Sequence, residues 1–242
     1  RSGRNWFRAR GDGDFTEFWI NGQRLPSPGT DAEWLSDEVF EVSPILRQPT
    51  TLPGQDEEYW RLIRLTPQGP QPATPDPVYA MVEDSYIESS DGRAFGLLAE
   101  VTEGRTGVVF NGKVIKTWSV REGETVWLGE LSLHPKGTEL AYLDPAGEAV
   151  YVVAGSRRWG PYREVRPLRE RPAVQYSPNG QHVAYFAVPP GQRSAVLYVN
   201  GQPTRFACDA IVMFGEPTWD AQGSLRLMAV SEGRVVRVTV RP

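Results

Sequence analysis

The chain has 242 residues, a formal net charge of −4 and a sequence pI near 5.4. That length suits one large all-β domain and is ample for a hydrophobic core, and no apolar run approaches the roughly 18 residues of a membrane-spanning helix. With 24 Gly, 21 Pro, 23% charged residues and one cysteine, the composition excludes a coiled coil, a collagen-like chain and a disulfide scaffold, and its acidic balance speaks against a general affinity for nucleic acid.

RSGRNWFRAR opens the sequence without Met and without a visible signal peptide, which reads as a processed product, a trimmed chain or the ordered part of something longer. NWFRARG and FTEFWING read as second and third strands of a unit entered midway. DAEWLSDEVF (31–40) reads as β rather than helix. YWRLIRLTPQG (59–69) reads as a strand with a turn at Gly69. TPQGPQPATPDP (66–77) holds five prolines, which cannot donate to a sheet ladder, and reads as an insertion leaving the sheet framework.

From residue 86 a repeat takes over. YIESSDGRAFGLLAE (86–100), LSLHPKGTELAYLD (131–144), VQYSPNGQHVAYFA (174–187) and PTWDAQGSLRLMAV (217–230) each run from strand to Gly turn to apolar strand. The turn glycines, Gly92, Gly137, Gly180 and Gly223, are spaced 45, 43 and 43 residues apart. Asp-Gly and Asn-Gly there suggest two-residue hairpin turns. A second series interleaves: FTEFWINGQ (15–23), GVVFNGK (107–113), AVYVVAGS (149–156) and AVLYVNGQ (195–202), with turn glycines Gly22, Gly112, Gly155 and Gly201. Gly69 fills the gap in this series.

Each unit of about 44 residues thus holds about four strands. VAYFAV (183–188) and VYVV (150–153) are nearly continuous apolar runs, the pattern of strands covered on both faces. Short strands in four-strand units of 40–50 residues are the signature of a β-propeller. The expected fold is all-β, a single propeller over 1–242. It is irregular over 1–85 and repeats clearly over 86–130, 131–173, 174–216 and 217–242. The chain ends in mid-unit after VVRVTV (235–240). Joining the two ends predicts six blades, with five as the alternative.

YSPNGQHVAYFA and VLYVNGQ, within 174–202, resemble the WD40-like repeat of TolB-type bacterial propellers; weaker copies fall at 86–113 and 131–155. The GH and WD signatures of eukaryotic WD40 proteins are missing. The resemblance implies the fold, a protein partner and a place outside the cytoplasm. It does not specify a task, because such propellers host many.

Catalytic motifs are hard to find. There is no G-x-S-x-G, no Gly-rich phosphate loop, no EF-hand loop and no HExxH. His134 and His182 sit beside repeat turns and read as repeat positions. One Cys and two His cannot build a structural zinc site. SVREGETVW (119–127) approaches a sialidase Asp-box, but Arg121 replaces its Asp. The acidic clusters Glu83-Asp84 and Asp56-Glu57-Glu58 read as loop charge. The eight Trp read mainly as packing between blades. No enzyme activity, cofactor or metal is expected.

RRWGPYREVRPLRER (157–171) stands out. It carries six Arg in an acidic protein, with Trp159 and Tyr162 interleaved, and Lys occurs only at Lys113, Lys116 and Lys136. Arg with aromatics is the composition of interface hot spots. Arg157, Arg158, Trp159, Tyr162, Arg163 and Arg166 are therefore the expected contacts to a protein partner. The competing reading is a solvated fourth strand whose Arg stems cover apolar surface. The expected function is a non-catalytic interaction or scaffold propeller, an accessory subunit of a larger assembly. The alternative is a carbohydrate-binding or glycosidase propeller, carried by the Trp excess and the acidic balance.

Overall fold

In the computed structural model, Asn200 and Gly201 both take left-handed backbone angles, φ 51° and 75°. This is the two-residue turn whose twist matches paired strands. Asn21-Gly22, Asn111-Gly112 and Glu232-Gly233 repeat it. The asparagine does more than tolerate the angle. Asn200 Oδ1 accepts the Val183 amide at 2.9 Å, and the Asn200 amide donates to Val183 O at 2.8 Å. Asn111 holds Phe95 in the same way, at 2.9 and 3.0 Å. The turn after the third strand of a repeat thereby clamps the start of the second and sets the register.

The first series of turns is built differently. Gly92, Gly137, Gly180 and Gly223 donate their amides to the carbonyls of Ser89, His134, Ser177 and Asp220, at 2.7–3.0 Å. Only the glycine is left-handed; Asp91 and Asn179 are not. These are four-residue turns, not the two-residue hairpins expected from Asp-Gly and Asn-Gly. The reason is side-chain chemistry. Asp91 and Asn179 accept the amides two residues on, from Arg93 and Gln181. Ser89 and Ser177 accept those of Ala94 and His182. Asx and Ser turns of this kind hold the first residues right-handed.

The structure describes residues 7–11, 16–24, 31–34, 39–43, 45–46, 57–58, 61–66, 69–72, 80–82, 85–102, 104–119, 131–166, 172–211 and 217–241. The chain divides into two compact units, Arg1–Tyr86 with Phe95–Thr125, and Ile87–Ala94 with Val126–Pro242.

Three antiparallel sheets dominate the first unit. Phe7–Gly11, Thr16–Ile20 and Gln23–Arg24 form one. Asp31–Trp34, Val39–Ser43, Arg61–Thr66 and Gly69–Pro72 form a second, which agrees with the β reading at 31–34 and 39–40; 35–38 lie outside the described residues. Here two expectations change. Gly69 pairs with Thr66 inside the ladder, so it starts a strand and does not make the turn. Residues 69–72 of the proline-rich stretch are the last strand of this sheet, where Pro is tolerated because one edge needs no donor; 73–77 lie outside the described residues. The third sheet runs Ala80–Met81, Phe95–Thr102, Arg105–Phe110, Lys113–Ser119.

The second unit holds three successive sheets. The first is Ser132–Leu133, Leu140–Ala146, Ala149–Ala154 and Arg157–Tyr162. The next is Val174–Tyr176, Val183–Val188, Ala195–Val199 and Gln202–Cys208, with Glu164–Val165 also pairing Val183–Val188. The last contains Thr218–Trp219, Leu225–Ser231 and Arg234–Val240, with Ala210–Ile211 pairing Leu225–Ser231. In both later sheets the first strand is split into two short pieces by inserted residues.

These three sheets stack face to face. Val183, Tyr185 and Ala187 pack with Ala141, Leu143 and Val152 of the preceding sheet. Ala184, Phe186 and Val188 pack with Leu225, Leu227 and Ala229 of the following one. One strand feeds two cores through its alternating side chains, so the apolar run VAYFAV is covered on both faces as expected. Full burial of Tyr185, Phe186 and Leu197 stabilises the unit by about 1.5–3 kcal/mol per side chain. The turns stack too. A Cβ at Gly180 would fall on the imidazole of His134, and one at Gly201 on the indole of Trp159. Successive four-stranded meanders packed in this way are the blades of a β-propeller.

Candidate interaction surface

Arg157–Tyr162 is the fourth strand of its sheet, and its side chains are mostly engaged. Arg157 Nη2 donates to Glu139 Oε1 at 2.7 Å, and its guanidinium lies over Trp159, 5.5 Å from the ring centre. Tyr176 donates to the same Glu139 oxygen at 3.1 Å. Arg158 Nε donates to Asp144 Oδ2 at 3.0 Å and stacks on Tyr151. Trp159 stacks against Tyr185 with ring centres 6.1 Å apart. Tyr162 is buried, its hydroxyl 2.8 Å from that of Tyr185, and meets Tyr198 edge-on. Burial pushes the phenols of Tyr162, Tyr176, Tyr185 and Tyr198 above their ordinary range.

Two further arginines follow the strand. The Arg166 amide donates to Phe186 O, its Nη1 reaches Glu164 at 3.1 Å, and its Nε is buried without a partner. Arg163 is exposed, and among the described residues its guanidinium has no partner. Of the six expected contacts, Tyr162 thus belongs to the core, Arg157 and Arg158 are tied to Glu139 and Asp144, and Arg163 is an exposed charge with no partner among the described residues. Residues 167–171 lie outside the described residues.

A second surface was missed in the sequence. The four-residue turns of the last two sheets face each other across a groove of about 520 Å³, lined by Asn179, Gln181, His182, Gln222, Arg226 and Arg241, with Asp220 and Ser224. Asp220 organises one wall. Its Oδ1 accepts the amides of Gln222 (3.0 Å) and Ser224 (2.8 Å), and its Oδ2 accepts Arg226 Nη2 at 2.8 Å. The Ser224 amide and the Arg226 charge hold its carboxyl below the usual range. On the other wall Asn179 Nδ2 donates to Gln181 Oε1, and the side-chain Nδ2 of Asn200 donates to His182 Nδ1 at 3.2 Å. The His182 ring stacks on Trp219 at 6.2 Å. With Asp220 and Arg226 paired, the Gln222 side-chain amide and the Arg241 guanidinium have no partner among the described residues and face the groove. The signal was present as two repeat turns, but their adjacency is a tertiary fact.

The other candidates fall elsewhere. His134 Nδ1 accepts the Lys136 amide, and its ring meets Tyr176 edge-on. Glu57–Glu58 pairs Ile45–Leu46; Asp56, Glu83, Asp84 and residues 120–127 of the Asp-box-like stretch lie outside the described residues. Trp118 is buried, Trp159 and Trp219 pack against the two cores, and Trp19 is half-buried. No helix among the described residues is long and apolar enough to cross a membrane.

The blades and their turn chemistry define an all-β chain of the β-propeller class. No family model matches the chain, and no curated protein matches it in sequence. Solved structures resemble it at the level of fold. TolB from Acinetobacter baumannii aligns over 93% of this chain and 56% of its own, at 10% identity and a TM-score of 0.40. A eukaryotic initiation factor aligns over 98% and 60%, at 12% identity and 0.48. A functionally unknown protein from Desulfotomaculum acetoxidans aligns over 93% and 75%, at 10% identity and 0.36. The chain therefore spans between half and two thirds of the length of the first two.

Proposed function

We propose that this chain is a non-catalytic β-propeller module that docks a protein partner, as an accessory or scaffold part of a larger assembly outside the cytoplasm. The observation that carries the reading is the groove between the turns at Ser177–His182 and Asp220–Ser224. Its walls are fixed by their own hydrogen bonds, and it offers an amide and a guanidinium to a ligand. Preorganised polar groups of this kind suit an extended polypeptide with a carboxylate. The groups most apt for chemistry are occupied in packing, which supports a binding role. Cys208 is buried, and both imidazoles serve turns and neighbouring rings. The place outside the cytoplasm rests on the resemblance of the repeat.

The test is capture from the native source with tagged protein, comparing wild type with a Gln222→Ala/Arg241→Glu variant. A stoichiometric protein kept by the wild type and lost by the variant is expected. Equal retention by both, or capture of no protein, would refute the reading; retention of a glycan instead would favour the sugar-binding alternative.

A further inference from the structure

The four-residue turns of successive sheets in the second unit meet in one way until the last pair. A Cβ at Gly137 would fall 2.7 Å from the Ala94 Cβ, and one at Gly180 would fall on the imidazole of His134. Each of these turn glycines is thus packed against a side chain of the turn before it. The nearest atom to a Cβ at Gly223 is Nδ2 of Asn179, at 4.0 Å. The packing that closes the earlier pairs is looser here, and the groove of about 520 Å³ lies between these same two turns. That volume is many times the roughly 30 Å³ share of one water, so it admits several residues of an extended chain.

Hydrogen bonds within the walls consume acceptors and leave donors. Asp220 accepts the amides of Gln222 and Ser224 and the guanidinium of Arg226. Asn179 Oδ1 accepts the Gln181 amide at 3.0 Å and the Ser177 hydroxyl at 2.7 Å. Gln181 Oε1 accepts Asn179 Nδ2 at 3.2 Å. The Gln181 Nε2 donor is left without a partner among the described residues.

His182 follows the same rule. Asn200 Oδ1 is fixed on the Val183 amide at 2.9 Å, so Nδ2 is the Asn200 atom beside His182 Nδ1, at 3.2 Å. An amide nitrogen only donates. His182 Nδ1 therefore accepts, and the neutral ring carries its proton on Nε2. The ring is held flat against Trp219, their planes 19° apart.

The charges point the same way. Asp220 is the one acid among the described residues of the groove, and Arg226 occupies it. Arg241 adds a second guanidinium. Among the side-chain oxygens of the described lining, only those of Gln222 and Ser224 are without a partner.

We propose that the groove binds an extended segment of the partner through the carboxylate of an aspartate or glutamate side chain, and that it rejects the matching asparagine or glutamine. This rests on the docking reading and names what the partner presents there. A carboxylate brings only acceptors to Gln181, His182 and Arg241. A side-chain amide would set its own NH2 against one of these donors and would forfeit the charge-assisted bond. Sites built of matched hydrogen bonds discriminate against such near-isosteres.

The experiment selects a phage-displayed library of random twelve-residue peptides on the wild-type chain and on the Gln222→Ala/Arg241→Glu variant. Peptides kept by the wild type and lost by the variant carry Asp or Glu at one shared position. The best of them is synthesised with an amidated C-terminus, in acid and amide forms at that position, and titrated by fluorescence anisotropy. The acid form binds at least about tenfold more tightly, and its binding weakens as salt is raised. Arg241→Gln, which removes the charge and keeps an amide donor, brings the two forms together. Long-range ¹H–¹⁵N correlations place the His182 proton on Nε2 in the free protein. Four results would overturn the inference and leave the docking reading standing: groove-dependent peptides without a shared acid, equal affinity of the two forms, a glutamine form with a free C-terminus binding as tightly as the acid form, or a His182 proton on Nδ1. A selection that yields no groove-dependent peptide would overturn both.

Discussion

Arg158 donates its Nε–H to Oδ2 of Asp144 at 3.0 Å, joining the fourth strand of its sheet to the second. The Asp144 side chain is only 5% exposed, while that of Arg158 is 45% exposed. An arginine read from sequence as a partner contact thus has a structural duty, and charge reversal there damages the blade before it tests any interface. Arg158→Glu sets two carboxylates together with one of them buried, and we expect a loss of about 1–3 kcal/mol. Arg163→Glu, at an exposed site, stays within about 0.5 kcal/mol of wild type. Urea midpoints at unchanged slope separate the two variants; coincident midpoints would contradict the pairing.

Asn200 performs two tasks that substitutions can separate. Asn200→Gly keeps the left-handed angle and loses the bond to the Val183 amide, for an expected loss of about 1 kcal/mol. Asn200→Ala loses both, and the expected loss rises to about 2 kcal/mol. Thermal or urea unfolding of the pair gives the order directly. A Gly variant no more stable than the Ala variant would mean that the backbone angle is not strained.

The tyrosine cluster predicts a steep alkaline limit. Burial raises Tyr185 and Tyr176 most clearly, while in the unfolded chain phenols ionise near 10. Their contribution to stability is therefore complete below pH 10 and is lost as the pH rises beyond it. The unfolding free energy should fall steeply above pH 10, and less steeply in Tyr185→Phe. A Tyr185→Phe variant with the same pH slope as wild type would remove the cluster as the cause.

Cys208 lies in the core between the last two sheets, and burial together with Asp209 pushes its thiol up to about 11. At pH 8 a thiol reagent should leave it unlabelled in the native protein and label it fully in urea. Rapid native labelling would mean that this core opens readily.

The legible part of the fold was the part written in local chemistry. Gly22, Gly112 and Gly201 mark hairpins because an Asn-Gly turn needs two left-handed residues and little else supplies them. The 44-residue period followed, and with it the strands of 86–119, 131–162 and 174–208. Gly69 misled because a glycine starting a strand looks the same as a glycine ending a turn. Asp91-Gly92 misled because Ser89 and the Asp91 carboxylate together choose a longer turn. The arginines of 157–166 were visible as a composition, but their partners Glu139 and Asp144 lie two strands away in the sheet. The groove depends on which strands become neighbours, and residue type alone does not disclose that.

The docking we propose uses the groove between the turns of the last two sheets. The most direct measurement is calorimetric titration of the captured partner into wild-type protein and into the Gln222→Ala/Arg241→Glu variant, with Arg163→Glu alongside. Loss of one charged and one neutral hydrogen bond should weaken binding by at least about tenfold in the groove variant, while Arg163→Glu changes it little. Equal affinity for wild type and groove variant would contradict the account.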